Sequence, residues 1–100
     1  MKNFRTYQTA VQLYRTTQTI KVPSHLRNQL DRASSSVVLN LAEGWSKSSR
    51  KDRRRFFEIA LCSLRETQAI LEIAHDRRCT QLASSTGAQC YKLVKALESP

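Results

Sequence analysis

Glycine and proline are scarce: each occurs twice in 100 residues, too few turn-formers for a many-stranded fold, whose hairpins need them at regular intervals. Long helices are what such a chain can build. No apolar run approaches the roughly 18 residues of a membrane span, and the polar opening MKNFRTYQTA lacks the apolar middle of a secretory signal. The expectation is a soluble protein with no membrane partner. Three cysteines, Cys62, Cys79 and Cys90, cannot all pair within one chain and are far too few for a secreted disulfide scaffold, so reduced thiols are expected. His75 and Cys79 stand four apart and can share a helix face, but a zinc site needs two more ligands and only His25, Cys62 and Cys90 remain. Ordinary packing or surface roles fit them better than a metal. Catalytic signatures are also missing: Ser34 to Ser36 form no nucleophile elbow, no glycine-rich phosphate loop occurs, and neither histidine has an identifiable nucleophile beside it. The reading is a non-enzymatic, cofactor-free protein.

What the chain has in excess is positive charge, and it is concentrated. The stretch Lys47 to Arg55, KSSRKDRRR, holds six of the seventeen Lys and Arg against Asp52 alone, and so five of the nine net charges. Residues 1–46 carry six basic and two acidic side chains, and residues 56–100 five of each. Such a cluster points to a polyanion, and nucleic acid is the commonest one a soluble basic protein meets. The plainer alternative is a solvated helix start.

Apolar spacing predicts one domain over residues 1–100, all-α, with helices near 3–20, 24–43, 49–78 and 80–98. In the first, Phe4, Tyr7, Val11 and Tyr14 form a stripe widened by Ala10 and Leu13. Ser24 is placed to cap the second, where Leu26, Leu30, Ala33, Val37 and Leu41 fall within roughly 80° of one another, and Gly44 is the natural stop. Ser49 with Asp52 three residues on resembles a capping box for the third. Its core stripe is Phe57, Ala60, Leu61, Leu64 and Leu71, beside a second apolar strip of Phe56, Ile59, Ile70 and Ile73. A small bundle needs one apolar face per helix, so the second strip suits a partner subunit better than a lone monomer. Thr80 is the expected cap of the fourth helix, in which Leu82, Thr86, Cys90, Leu93 and Leu97 repeat at helical spacing. Short connections make this an antiparallel up-down-up-down four-helix bundle, near the lower size limit for a self-sufficient core, where oligomerisation helps.

The stretch from Leu26 to Glu66 carries N-x-A-E-G at Asn40 to Gly44, a basic linker, and F-x-x-A-x-x-S-L-x-E from Phe56. It resembles the four-helix bundle family of proteins encoded in intervening sequences of bacterial 23S ribosomal RNA, to which the accessory variability proteins of diversity-generating retroelements are related. Gln29, Arg32, Ala33, Ser36 and Val37 agree with it, as do Leu13, Tyr14 and Arg15 of the first helix. The resemblance implies a ring-shaped homopentamer, a positively charged surface, no catalysis, nucleic acid (RNA or DNA) as ligand, a bacterial cytoplasm, and in the retroelement relatives a reverse transcriptase partner. Cys62 departs from the family at a position where glycine is common, and the connection AHDRRCTQL is shorter than usual.

The matched residues also have a physical reading. Arg32, Ser36, Asn40 and Glu43 form a polar band beside the core stripe; Glu43 is expected to accept from Arg32 of a neighbouring helix or subunit, and Asn40 to pair with backbone near the Gly44 turn, which makes the band architectural. Trp45, expected on an exposed linker, either plugs the end of the bundle or stacks on a base. Lys47, Arg50, Lys51, Arg53, Arg54 and Arg55 surround the free N–H groups of a helix start, a natural phosphate seat. On a helical wheel Arg50 and Arg53 lie toward the core, Lys51 and Arg55 away from it, and Arg54 between. An adaptor docking its basic surface on an acidic protein is the rival reading. A membrane-surface role is weaker, because the opposite face of the basic helix already has a core to cover.

Overall fold

A computed structural model describes residues 4–98, which form four helices: α1 (Arg5–Thr17), α2 (Ser24–Ser46), α3 (Arg50–Ala74) and α4 (Arg77–Ala96). Helix α1 packs on α2 and α4, and α3 packs on the same two; among the described residues there is no α1–α3 or α2–α4 packing. The core is therefore a column enclosed on four sides, and each helix must present one narrow inward line. No described helix is long and apolar enough to cross a membrane.

Helix α2 keeps the inward line expected of it: Leu26, Leu30, Ala33, Val37 and Leu41 are all buried. Helices α1 and α4 keep theirs only in part, with Ala10, Leu13, Thr86 and Cys90 buried as expected. In α1 the buried line is Thr6, Ala10, Leu13 and Thr17, with Tyr7, Val11 and Tyr14 only half-buried at its margins. In α4 it is Cys79, Ala83, Thr86, Cys90 and Val94, with Leu82, Leu93 and Leu97 at the edge. In α1 the difference comes from threonine, whose hydroxyl in a helix donates back to a carbonyl of the preceding turn and so leaves only methyl surface to bury; in α4 it comes from the small residues Cys79 and Ala83 and from Val94. Thr17 donates to the Tyr14 carbonyl (2.6 Å), Thr67 to Ser63 (2.9 Å) and Thr86 to Leu82 (2.8 Å); all three are fully buried.

The helix ends depart from expectation for local reasons. Helix α1 stops at Thr17, three residues early, where Arg27 of α2 takes up the Thr17 and Ile20 carbonyls (2.9 and 3.2 Å). Ser24 is the first residue of α2, not its cap; Pro23 precedes it and no side chain caps this end. Gly44 does not stop α2, which runs on to Ser46 with no glycine at positive φ. Gly44 is needed instead for close approach: a Cβ there would stand 2.6 and 2.8 Å from the Phe57 ring. Ser49 caps α3 as expected, accepting the Asp52 N–H at 3.1 Å. His75 then takes the left-handed conformation (φ 58°) and ends α3 short of Arg78. Asp76 accepts the Cys79 N–H at 2.9 Å and starts α4, the role expected of Thr80, whose hydroxyl instead donates to the Asp76 carbonyl.

The second apolar strip of α3 divides. Ile70 is buried and Phe56 half-buried, whereas Ile59 and Ile73 are exposed (38% and 57%). Ile70 thus belongs to the core of a single chain, and two isoleucines remain on the surface.

Candidate nucleic-acid interface

A polar seam fixes α2 against α3. Arg32 pairs with Glu66 at 2.6 Å, Ser36 and Ser63 share a hydroxyl hydrogen bond at 2.8 Å, and Asn40 Nδ2 donates to the Ser36 carbonyl and hydroxyl (2.9 and 3.0 Å). The Ser36 hydroxyl thus accepts from Asn40 and shares a hydrogen bond with Ser63, so the three side chains form one connected chain. Within the single chain these side chains take partners other than those expected. Arg32 takes Glu66, which the α3 register brings opposite it, and Glu43 takes Lys47 one turn on (3.5 Å). Asn40 bonds backward to Ser36, not toward Gly44.

The seam leads to the basic junction between α2 and α3, whose six cations divide by task. Arg53 donates to the Lys47 carbonyl (2.7 Å) and to the Trp45 carbonyl (3.4 Å), closing the C-terminal end of α2. Arg50 donates to the Ala96 carbonyl at 3.0 Å and does the same for α4. Unsatisfied carbonyls carry partial negative charge at a helix C-terminus, so guanidinium groups there stabilise two helices at once. Arg54 stands 3.6 Å from both Glu58 and Glu98. Lys47 lies 5.2 Å over the Phe56 ring as well as beside Glu43. Lys51 and Arg55 are exposed and, among the described residues, have no anionic partner; Arg55 only flanks Phe56, at 5.9 Å.

Trp45 sits on the last turn of α2, not on a linker, with its ring against Phe4 (centroids 4.3 Å, 21° from parallel) while Phe4 also meets Phe57 at 5.9 Å. One face of the indole is thus occupied by the end of the bundle, and the residue is 42% exposed.

Sequence order conceals a second feature. Neither α1 nor α4 contains an acidic residue, and the two helices pack on each other. Arg5, Arg15, Arg78 and Lys92, scattered through the chain, thereby come to a single acid-free face. The signal that could have found them is the absence of Asp and Glu before Asp31, read together with their absence between Asp76 and Glu98.

Four helices around one core, a polar α2–α3 seam and a cationic helix junction define a small basic helical-bundle class of protein. The family model of the 23S rRNA-intervening sequence protein matches residues 3–99, and the chain belongs to that family. No curated protein and no solved structure matches it.

Proposed function

We propose that this chain is a non-catalytic nucleic-acid-binding protein, cytoplasmic, whose up-down-up-down bundles assemble into a ring-shaped homo-oligomer, a pentamer, and hold RNA or DNA backbone at the α2–α3 junction. The observation that carries the binding reading is the division of labour among the junction cations. Four are engaged with carbonyls or carboxylates, while Lys51 and Arg55 stay exposed and, among the described residues, without an anionic partner on the first two turns of α3, near the helix end whose dipole favours phosphate. The family's description ties it to ribosomal RNA genes. The up-down arrangement is supported by the contact pairs 4 with 45 and 18 with 31, 36 with 63 and 44 with 57, and 50 with 96 and 64 with 87. Assembly is supported by exposed Ile59 and Ile73 on α3 and by Leu39 on α2 (66% exposed). In a ring, several weak phosphate seats combine through effective concentration. A retroelement setting would add a reverse transcriptase as protein partner.

The test is a salt-titrated binding assay on the Lys51→Glu/Arg55→Glu double variant. Each duplex phosphate no longer neutralised makes the slope of log affinity against log salt shallower by roughly 0.9. A shallower slope at unchanged melting temperature supports the junction as the site. A slope equal to the parent's removes it.

A further inference from the structure

The eight acidic residues are distributed unevenly over the four helices. Asp31 and Glu43 lie on α2, Asp52, Glu58, Glu66 and Glu72 on α3, and Asp76 and Glu98 flank α4. Helix α1 offers Arg5 and Arg15 and α4 offers Arg77, Arg78, Lys92 and Lys95, with no anion on either. Two of these six face away from the α1–α4 seam. Lys95 pairs with Glu98 at 3.0 Å, and Arg77 borders a cleft with Glu72 and His75. The other four fall in pairs along the seam, one from each helix. Arg15 and Arg78 flank a cleft of about 350 Å³ that Gln12, Thr16 and Thr19 help to line. Arg5 and Lys92 flank another of about 460 Å³ with Ser85 and Gln89. Arg78 is held by the neutral Thr19 hydroxyl at 3.1 Å, and Arg5, Arg15 and Lys92 have no anionic partner among the described residues.

We infer that the α1–α4 seam is a second phosphate-contact surface, along which a nucleic-acid backbone runs from the cleft between Arg15 and Arg78 to the cleft between Arg5 and Lys92. The inference rests on the reading that the chain binds nucleic acid, and it extends the contact from the α2–α3 junction to a separate face. At 1.5 Å per residue, Arg5 and Arg15 stand ~15 Å apart along α1, and Arg78 and Lys92 ~21 Å apart along α4. A duplex strand places one phosphate per ~3.4 Å of helix axis, so the two clefts are separated by a few nucleotides of backbone. The lining also selects the partner. Guanidinium, ammonium, amide and hydroxyl groups are the usual ligands of phosphate and sugar oxygens. The exposed large apolar residues lie off the seam: Leu39 and Trp45 on α2, Ile59 and Ile73 on α3, and Tyr91 in the α3–α4 cleft. A lipid surface needs apolar side chains to insert, and a protein partner needs an aromatic or aliphatic anchor; of large apolar side chains the seam clefts hold only half-buried Val11 and Leu93, with no exposed one.

The experiment is fluorescence anisotropy of the full chain with a labelled RNA duplex and the matching DNA duplex, between 50 and 200 mM salt. Parent, Arg15→Gln/Lys92→Gln and Lys51→Gln/Arg55→Gln proteins are compared. The seam variant is expected to flatten the log–log salt slope by up to ~1.8, two phosphates' worth, and Arg15→Lys/Lys92→Arg, which keeps both charges, is expected to restore the parent slope even if the glutamine variant melts lower. A parent-like slope in the seam variant with a flattened slope in the Lys51/Arg55 variant overturns the seam and leaves the junction reading standing. No binding by the parent to either duplex overturns the junction reading and the seam together. Displacement of the duplex by anionic phosphatidylserine vesicles or polyglutamate as readily as by unlabelled duplex overturns the assignment of the seam to a nucleic-acid backbone.

Discussion

Phe4, at the N-cap of α1, lies flat against Trp45 in the last turn of α2, 4.3 Å between ring centroids. This pair ties the beginning of the described chain to the very helix end from which the basic junction departs. Its removal should therefore be felt as stability before it is felt as binding. Trp45→Ala is expected to cost about 2–3 kcal/mol, combining lost burial of a partly exposed indole with lost ring stacking, and Trp45→Phe to recover most of it. Urea melts followed by circular dichroism measure the loss.

The two glycines should respond to alanine in opposite directions. At Gly44 a Cβ would collide with the Phe57 ring at 2.6 Å and press on Phe56 Cβ at 3.2 Å, and Phe57 cannot retreat because it is buried against Phe4. Overpacking of this kind costs about 1–3 kcal/mol, more than the gain in helix propensity. At Gly87 the nearest atoms are Gln68 Nε2 and Leu64 Cδ2, both at 3.3 Å and both at the ends of side chains. Gly87→Ala should be neutral or stabilising by up to about 1 kcal/mol. Thermal denaturation of the two variants gives the comparison directly.

Thiol reactivity should distinguish Cys62 from the other two. Burial pushes the Cys90 thiol up to about 12 and, with Asp76 nearby, the Cys79 thiol up to about 11. Both are therefore fully protonated at neutral pH and shielded, and the thiolate is the reactive form. A native chain is expected to release one equivalent of a disulfide reagent's chromophore at pH 8, from exposed Cys62, and three after denaturation.

Asp31 gives the fold a small acid sensitivity. The Gln18 amide and then Arg27 hold its carboxyl below its usual value of 3.8. A group depressed in the folded state stabilises above its unfolded value and loses that contribution as pH falls through the folded one. Asp31→Asn should accordingly melt below the parent at pH 7, by less than about 1 kcal/mol for so exposed a pair. The gap should narrow once the pH drops below about 3.8, the ordinary carboxylate value; a gap that is constant with pH would remove Asp31 as the titrating group.

Much of this molecule is legible in the residue pattern, and the exceptions have common causes. Helix α2 reads directly because its inward line from Leu26 to Leu41 is apolar, and buried Ser34 beside it turns its hydroxyl back to the Leu30 carbonyl. Helices α1 and α4 mislead because Thr6 and Thr17 in the first and Cys79, Ala83 and Val94 in the second occupy inward positions, while tyrosine and leucine sit at the margins, where large side chains cover the seams. The α3–α4 boundary depends on the left-handed conformation of His75, for which no glycine serves as a signal. At the junction, the helical wheel separates Lys51 and Arg55 from Arg50 and Arg53, but the Ala96 carbonyl that Arg50 caps is distant in sequence, and the Lys47 and Trp45 carbonyls reach Arg53 only through the turn between α2 and α3. The acid-free α1–α4 face needs both ends of the chain to be brought together before it exists.

The most direct measurement is binding of the unaltered chain to RNA and DNA duplexes across a salt series, with light scattering on the same sample. The account predicts an assembled species that binds in dilute buffer, with log affinity falling linearly against log salt at a slope of several phosphates. Single chains that bind neither duplex at 50 mM salt would contradict it.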